Sequence, residues 1–127
     1  MSGRRRIPIV NKAARLYKGV RYDSGIEAIR AHELDLLQAG GTIRLWYRQP
    51  LFDLPDPVHR RKLDFCVQDQ DGTLFIEEIK GGYALKSGHI GDATRRLIRE
   101  WRAHGIMPLK LMCRVKSAWQ TEWVIPE

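Results

Sequence analysis

Along most of this chain apolar and polar positions alternate in short runs, and in two stretches they recur at helical spacing. Ser24-Gly25-Ile26-Glu27 opens the first helix, which runs to about Gln38 and closes at Gly40-Gly41, and its Ser-x-x-Glu spacing is that of a capping box. At about 100° per residue, Ile26, Ile29, Leu34, Leu36 and Leu37 form one apolar arc. Glu27 lies at the margin of that arc and Glu33 nearer its middle, so either carboxylate could face inward. The second helix is predicted from about Ile90 to His104, with Gly105 as its C-cap. Its apolar arc is Ile90, Ala93, Leu97, Ile98 and Trp101, and Arg95, Arg96, Arg99 and Arg102 share the opposite side.

Between and after the helices the period drops to two. Thr42 to Arg48 reads as a strand, followed by the extension Gln49-Pro50-Leu51-Phe52 and a loop rich in Pro and Asp from Asp53 to His59. Lys62 to Gln68 and Thr73 to Lys80 read as two strands joined by Asp69-Gln70-Asp71-Gly72, where Asp-Gly signals an antiparallel hairpin. Gly81-Gly82 and a basic loop containing Lys86 lead to the second helix; Pro108 to Val115 is a further core strand, and Trp119 to Ile125 an edge strand. Trp101, Trp119 and Trp123 are expected to pack. The order is helix, three strands, helix, strand, an α/β fold with a mixed central sheet flanked by helices.

A length of 127 residues with 43% hydrophobic content suits one domain. Residues 23 to 127 are expected to form it, preceded by a basic arm over residues 1 to 22 that includes Arg4, Arg5, Arg6 and Arg21. The 22 Lys and Arg against 15 Asp and Glu leave a net charge of +7, clustered in the arm and on the second helix, which favours a polyanionic partner. Cys66 and Cys113 sit in apolar runs, as reduced core cysteines do, and the four histidines show no zinc-ligand spacing. No apolar run approaches the roughly 18 residues of a membrane helix, and the start lacks a signal-peptide core. A soluble, cytoplasmic protein is therefore expected, with no membrane association.

Charge inside the strands changes the picture most. Leu74-Phe75-Ile76-Glu77-Glu78-Ile79-Lys80 places two carboxylates and an ammonium in an apolar strand, and Leu63-Asp64-Phe65-Cys66-Val67 carries a single Asp. Such charges must be paired, carried to the strand's end or neutralised by a metal. Glu78 and Lys80 share a face, whereas Glu77 points the other way and reads as structural. A hairpin lets Asp64 and Glu78 converge from adjacent strands. Two carboxylates suffice for Mg²⁺, with Mn²⁺ as substitute, and the carbonyl of Ile79 could add a ligand. Lys80 could then orient the attacking water or stabilise the charge that develops on a phosphate. An ion pair without metal is the structural alternative.

At these residues the chain resembles the PD-(D/E)xK nuclease superfamily, with Asp64 as the Asp, Glu78 as the second acid, Lys80 as the Lys and Leu63 in place of the usual Pro. Tyr22 to Ala28, Gln49 to Phe52, Leu63 to Phe65 and Ile76 to Gly81 look, in that order, like blocks of a phage-associated nuclease family. Ser24 to Glu27 and Glu78 to Gly81 also look like phage endonuclease I, a Holliday junction resolvase. The resemblance implies an αβββαβ restriction-endonuclease-like core, a Mg²⁺ or Mn²⁺ requirement, cleavage leaving 5′-phosphate, and a basic helix near the DNA, the place of Arg95 to Arg102. It also implies that Glu27, rather than Glu33, completes the metal site. Gln49 stands where related nucleases carry a polar residue, though a core amide bond explains it equally, and His89 is a candidate phosphate contact. The expected function is a metal-dependent DNA endonuclease of a phage or mobile element, selective for branched DNA. Because a junction needs two cuts, a homodimer is expected. A less selective nuclease and a catalytically silent DNA-binding module are the rivals.

Overall fold

A computed structural model of the chain describes residues 15–55, 59–81 and 91–127, which fall into two compact units, one up to Thr42 and one from Ile43 onward. In the first unit, β1 (Leu16–Tyr17) and β2 (Val20–Arg21) form a minimal hairpin through Lys18 and Gly19, both at positive φ. It is tied to α1 (Gly25–Ala39), because the Tyr17 hydroxyl donates to Asp35 Oδ2 at 2.6 Å and Lys18 Nζ lies 3.1 Å from the same oxygen. Partial burial and the Asp35 carboxylate push the Tyr17 hydroxyl up to about 12.

Helix α1 starts where the capping box predicts, with Ser24 Oγ accepting from the Glu27 N–H at 3.1 Å. Its buried side keeps Ile29 and Leu34 of the predicted arc and leaves out Leu36. Ala28, Ile29, Arg30, Ala31 and Leu34 are buried, whereas Leu36 is 59% exposed. An arc drawn through the large apolar side chains alone overlooks Ala28 and Ala31, which turn the contact stripe away from Leu36.

The second unit is a five-stranded mixed sheet in the order β3-β6-β7-β8-β9, built from β3 (Ile43–Arg48), β6 (Phe65–Asp69), β7 (Leu74–Lys80), β8 (Leu109–Val115) and β9 (Ala118–Val124). Every pair is antiparallel except β7 with β8. That parallel pair needs a crossover, and α2 (Asp92–His104) supplies it. Its Leu97 and Trp101 pack on Leu63, Cys66, Ile76, Leu109, Leu111 and Val124, which fixes the sheet face to which α2 is bound. Thr94 is buried where Ala93 was expected, and Ala93 is exposed. Trp101 is wholly buried, its indole N–H donating to the Met107 carbonyl at 2.7 Å. Both cysteines are buried, as expected of core residues.

The β6–β7 turn forms as Asp-Gly predicts, with Gly72 at φ +91 and its N–H on the Asp69 carbonyl. The β8–β9 turn does so without that help: Lys116 and Ser117 both hold positive φ between Val115 and Ala118. Two expectations change around residue 60. The segment read as a loop from Asp53 to His59 carries the ends of a second antiparallel pair, β4 (Leu51–Leu54) with β5 (His59–Lys62). The strand expected from Lys62 to Gln68 is broken at Leu63 and Asp64, since Leu63 and Cys66 lie in the same core cluster although strand alternation would put them on opposite faces.

Candidate functional site

The break is where the site forms. Pairing of Phe65 with Glu77 and of Cys66 with Ile76 brings Asp64 opposite Glu78. At that point the chain leaves the main sheet for β5, so backbone groups of β7 lose their ladder partners. Side chains replace them: Asp64 Oδ2 accepts from the Ile79 N–H at 2.7 Å, and Glu78 Oε1 accepts from the Asp64 N–H at 3.1 Å. Lys80 Nζ lies 3.4 Å from Glu78 Oε2. Asp64, Glu78 and Lys80 thus gather at the C-terminal end of β7. The Ile79 carbonyl, on the same strand edge as its N–H, faces the same gap.

The electrostatics are those of two carboxyl groups held together, of which one keeps its proton. The side chains of Glu78 and Lys80 are 13% and 23% exposed. Burial first, and the Asp64 carboxylate second, push the Glu78 carboxyl up to about 8, against the opposing pull of the Lys80 ammonium. Oxygen donors dominate, with two carboxyl groups and a carbonyl and no imidazole or thiolate in the set, and the Glu78 carboxyl holds a proton that a cation would displace. That chemistry fits a hard dication such as Mg²⁺, which takes one or two protein carboxylates and completes its shell with water and substrate oxygens. Among the described residues no three His, Cys, Asp or Glu side chains form a ready cage of the kind a structural metal uses.

No family model, no curated protein and no solved structure matches the chain. The assignment of the site therefore rests on the residues themselves.

Glu77 faces away from this cluster, as predicted. It is 1% exposed and pairs with Lys110 Nζ at 3.3 Å; that ammonium also lies 5.0 Å from the Phe75 ring and 5.3 Å from that of Trp123. Trp123 stacks edge-on against Phe75 yet remains 46% exposed, so its packing is partial. Glu27 and Glu33 belong to the first unit: Glu27 sits in the cap of α1 and Glu33 accepts from Arg30 at 3.0 Å. Arg21 is exposed on β2. Arg4, Arg5, Arg6, Lys86 and His89 lie outside the described residues.

Gln49 acts through its backbone. At φ +54 it takes the left-handed conformation, and its N–H donates to the Asp64 carbonyl at 2.8 Å, while the Leu63 N–H donates to the Pro50 carbonyl at 3.1 Å. These bonds carry the ladder through the bend and fix the backbone of Asp64. Arg95, Arg96, Arg99 and Arg102 are exposed along α2, as predicted. Three of them, Arg95, Arg99 and Arg102, line an open groove of about 460 Å³ together with Ile98, Ala103 and Glu127. The basic quartet His59-Arg60-Arg61-Lys62 escaped the sequence reading because it straddled an assumed loop and the start of an assumed strand. The apolar pair Phe52 and Leu54, two apart beside it, was the available signal.

No helix among the described residues is long and apolar enough to cross a membrane.

Proposed function

We propose that the chain is a divalent-cation-dependent DNA endonuclease of the PD-(D/E)xK type, selective for branched DNA and acting as a homodimer. The observation that carries the reading is the gathering of the Asp64 and Glu78 carboxylates and the Lys80 ammonium at one break in the sheet. In this reading Asp64, Glu78 and the Ile79 carbonyl would hold the cation, whose chemistry there would be neutralisation of charge on the transferring phosphate and acidification of a water. Asp64 is held by its backbone bonds to Gln49 and Glu78, so its carboxylate is oriented before substrate arrives. Lys80 brings a positive charge to where negative charge develops on the phosphate. The arginines of α2 hold flanking phosphates without regard to base sequence. Branch selectivity, the dimer and a share of the ion for Glu27 enter by the sequence resemblance alone.

The test is incubation of the purified chain with a four-way junction and a linear duplex in Mg²⁺. Cleavage of the junction, lost in Asp64→Ala and slowed by about 10²-fold or more in Lys80→Ala, supports the reading; cleavage at the unaltered rate in either variant overturns the assigned site. Equal cutting of both substrates would retain the nuclease and remove the branch selectivity.

One observation favours a second reading, a DNA-binding module without catalysis: the carboxylates already satisfy backbone N–H groups and Lys80. Calorimetric titration with Mn²⁺ separates the two, since a binding signal abolished by Asp64→Asn belongs to the enzyme and its absence to the module.

A further inference from the structure

The β4–β5 pair is a two-faced ribbon. Its inner face docks on α2: Phe52 meets Trp101 edge-on at 5.2 Å, Leu54 is buried, and Arg61 Nη2 lies 2.6 Å from Glu100 Oε1. Its outer face, set by the pairs Leu51 with Lys62 and Asp53 with Arg60, is exposed. We propose, resting on the nuclease reading above, that this outer face is a second phosphate-binding surface, with Arg60 and Lys62 gripping the DNA backbone beside Asp64.

Three features support it. The ribbon is anchored on one side and leaves the sheet at Asp64, so Lys62 stands two residues from that acid in a fixed relation to it. Lys62 has no ion-pair partner among the described residues. Among the described residues Arg60 pairs only with Asp53, at 3.0 Å, with the two side chains 67% and 80% exposed. An ion pair that open to water contributes little and yields readily to a phosphate. Leu51, 58% exposed beside Lys62, offers an apolar surface for a sugar. A two-stranded ribbon also has the width that a DNA groove admits. The outer face carries net positive charge, and Asp53 is its only acid among the described residues, holding Arg60 until DNA arrives.

The experiment measures affinity of the full chain for a labelled linear duplex by fluorescence anisotropy, in EDTA, across a salt series. For Arg60→Ala with Lys62→Ala, the plot of log affinity against log salt should be shallower by about 1.8, at ~0.9 per lost phosphate contact. Asp53→Asn should bind more tightly than the unaltered chain at low salt, an outcome that a merely structural Asp53–Arg60 pair does not produce. Thermal melting and Mn²⁺ titration of the variants should match the unaltered chain, since both basic side chains are exposed. If the chain binds duplex but the double variant keeps its slope, the ribbon surface is overturned and the nuclease reading stands. If the chain itself shows no salt-dependent binding, the ribbon surface is overturned, and the nuclease reading stands or falls on the junction cleavage.

Discussion

Asp64 and Glu78 exchange places with each other's backbone: the Glu78 carboxylate accepts from the Asp64 N–H at 3.1 Å, and the Asp64 carboxylate accepts from the N–H of Ile79, the residue after Glu78, at 2.7 Å. The pairing explains how two acids come to lie side by side in a region of partial burial. Each substitutes for a ladder bond that the bend removes, so structural need and chemical potential share the same atoms.

That arrangement has a sign in stability. Burial, and then the Asp64 carboxylate, push the Glu78 carboxyl up to about 8 in the folded chain, against its ordinary value of 4.5. Between those values the folded state holds a proton that the unfolded state has lost, so stability falls as pH rises through this window. At about 1.4 kcal/mol per pH unit, the loss is on the order of a few kcal/mol. In EDTA, thermal melting should show this decline for the unaltered chain. Glu78→Gln should flatten it and be the more stable protein above pH 8. An unchanged pH slope in the variant would mean that Glu78 is not the group responsible.

A dication favours the ionised form of Glu78, so its binding must expel the proton. At pH 7, Mn²⁺ titrations in buffers of different ionisation enthalpy should report release of about one proton per ion, and at pH 9 almost none. Binding at pH 7 without proton release would place the ion elsewhere.

The convergence of Asp64 with Glu78 was legible because a hairpin is a counting device. An Asp-Gly turn over residues 69 to 72 sets the register, and fourteen residues of separation then place the two acids opposite each other. The arginine side of α2 was legible for a similar reason, since helical period sorts residues onto faces. The break at Leu63 was not, because its inward side chain is decided by packing on Leu97 and Trp101, which are distant in sequence. Nor was the left-handed backbone of Gln49, a residue type with no marked preference for it. The β4–β5 ribbon was hidden by Asp53 and Pro55, which read as loop residues. The buried stripe of α1 was legible at Ile29 and Leu34 but not at Ala28 and Ala31, because alanines count in contact though not in bulk.

Gly105 is required by Trp101. A Cβ at that position would come within 2.5 Å of the indole ring, which the Met107 carbonyl and the core hold in place. Gly105→Ala should therefore destabilise the chain by about 1–3 kcal/mol, the usual cost of overpacking. Urea unfolding checks it; a loss no larger than that of an exposed Gly→Ala change would show that the ring moves aside freely.

The β8–β9 turn is open to improvement. Lys116 and Ser117 hold φ of 51 and 66, a conformation that Asn and Gly adopt with less strain. Lys116→Asn with Ser117→Gly should raise stability by about 1 kcal/mol and leave DNA affinity nearly unchanged. A lowered melting temperature would mean that these side chains make compensating contacts.

Lys80 offers the sharpest division between holding the ion and using it. Its ammonium lies 3.4 Å from Glu78 and lowers that group's affinity for protons, but it is not itself a ligand. At pH 9, where Glu78 is ionised, Lys80→Ala removes a positive charge from the site, so Mn²⁺ should bind at least as tightly as before. Cleavage should nevertheless fall by about 10²–10³-fold, the loss expected when one donor to developing charge is removed. Asp64→Asn should lose ion binding and cleavage together. If Lys80→Ala instead weakened Mn²⁺ binding at pH 9 while the single-turnover rate at saturating Mn²⁺ stayed the same, Lys80 would serve to arrange Glu78, and the positive charge for the phosphate would have to come from another residue.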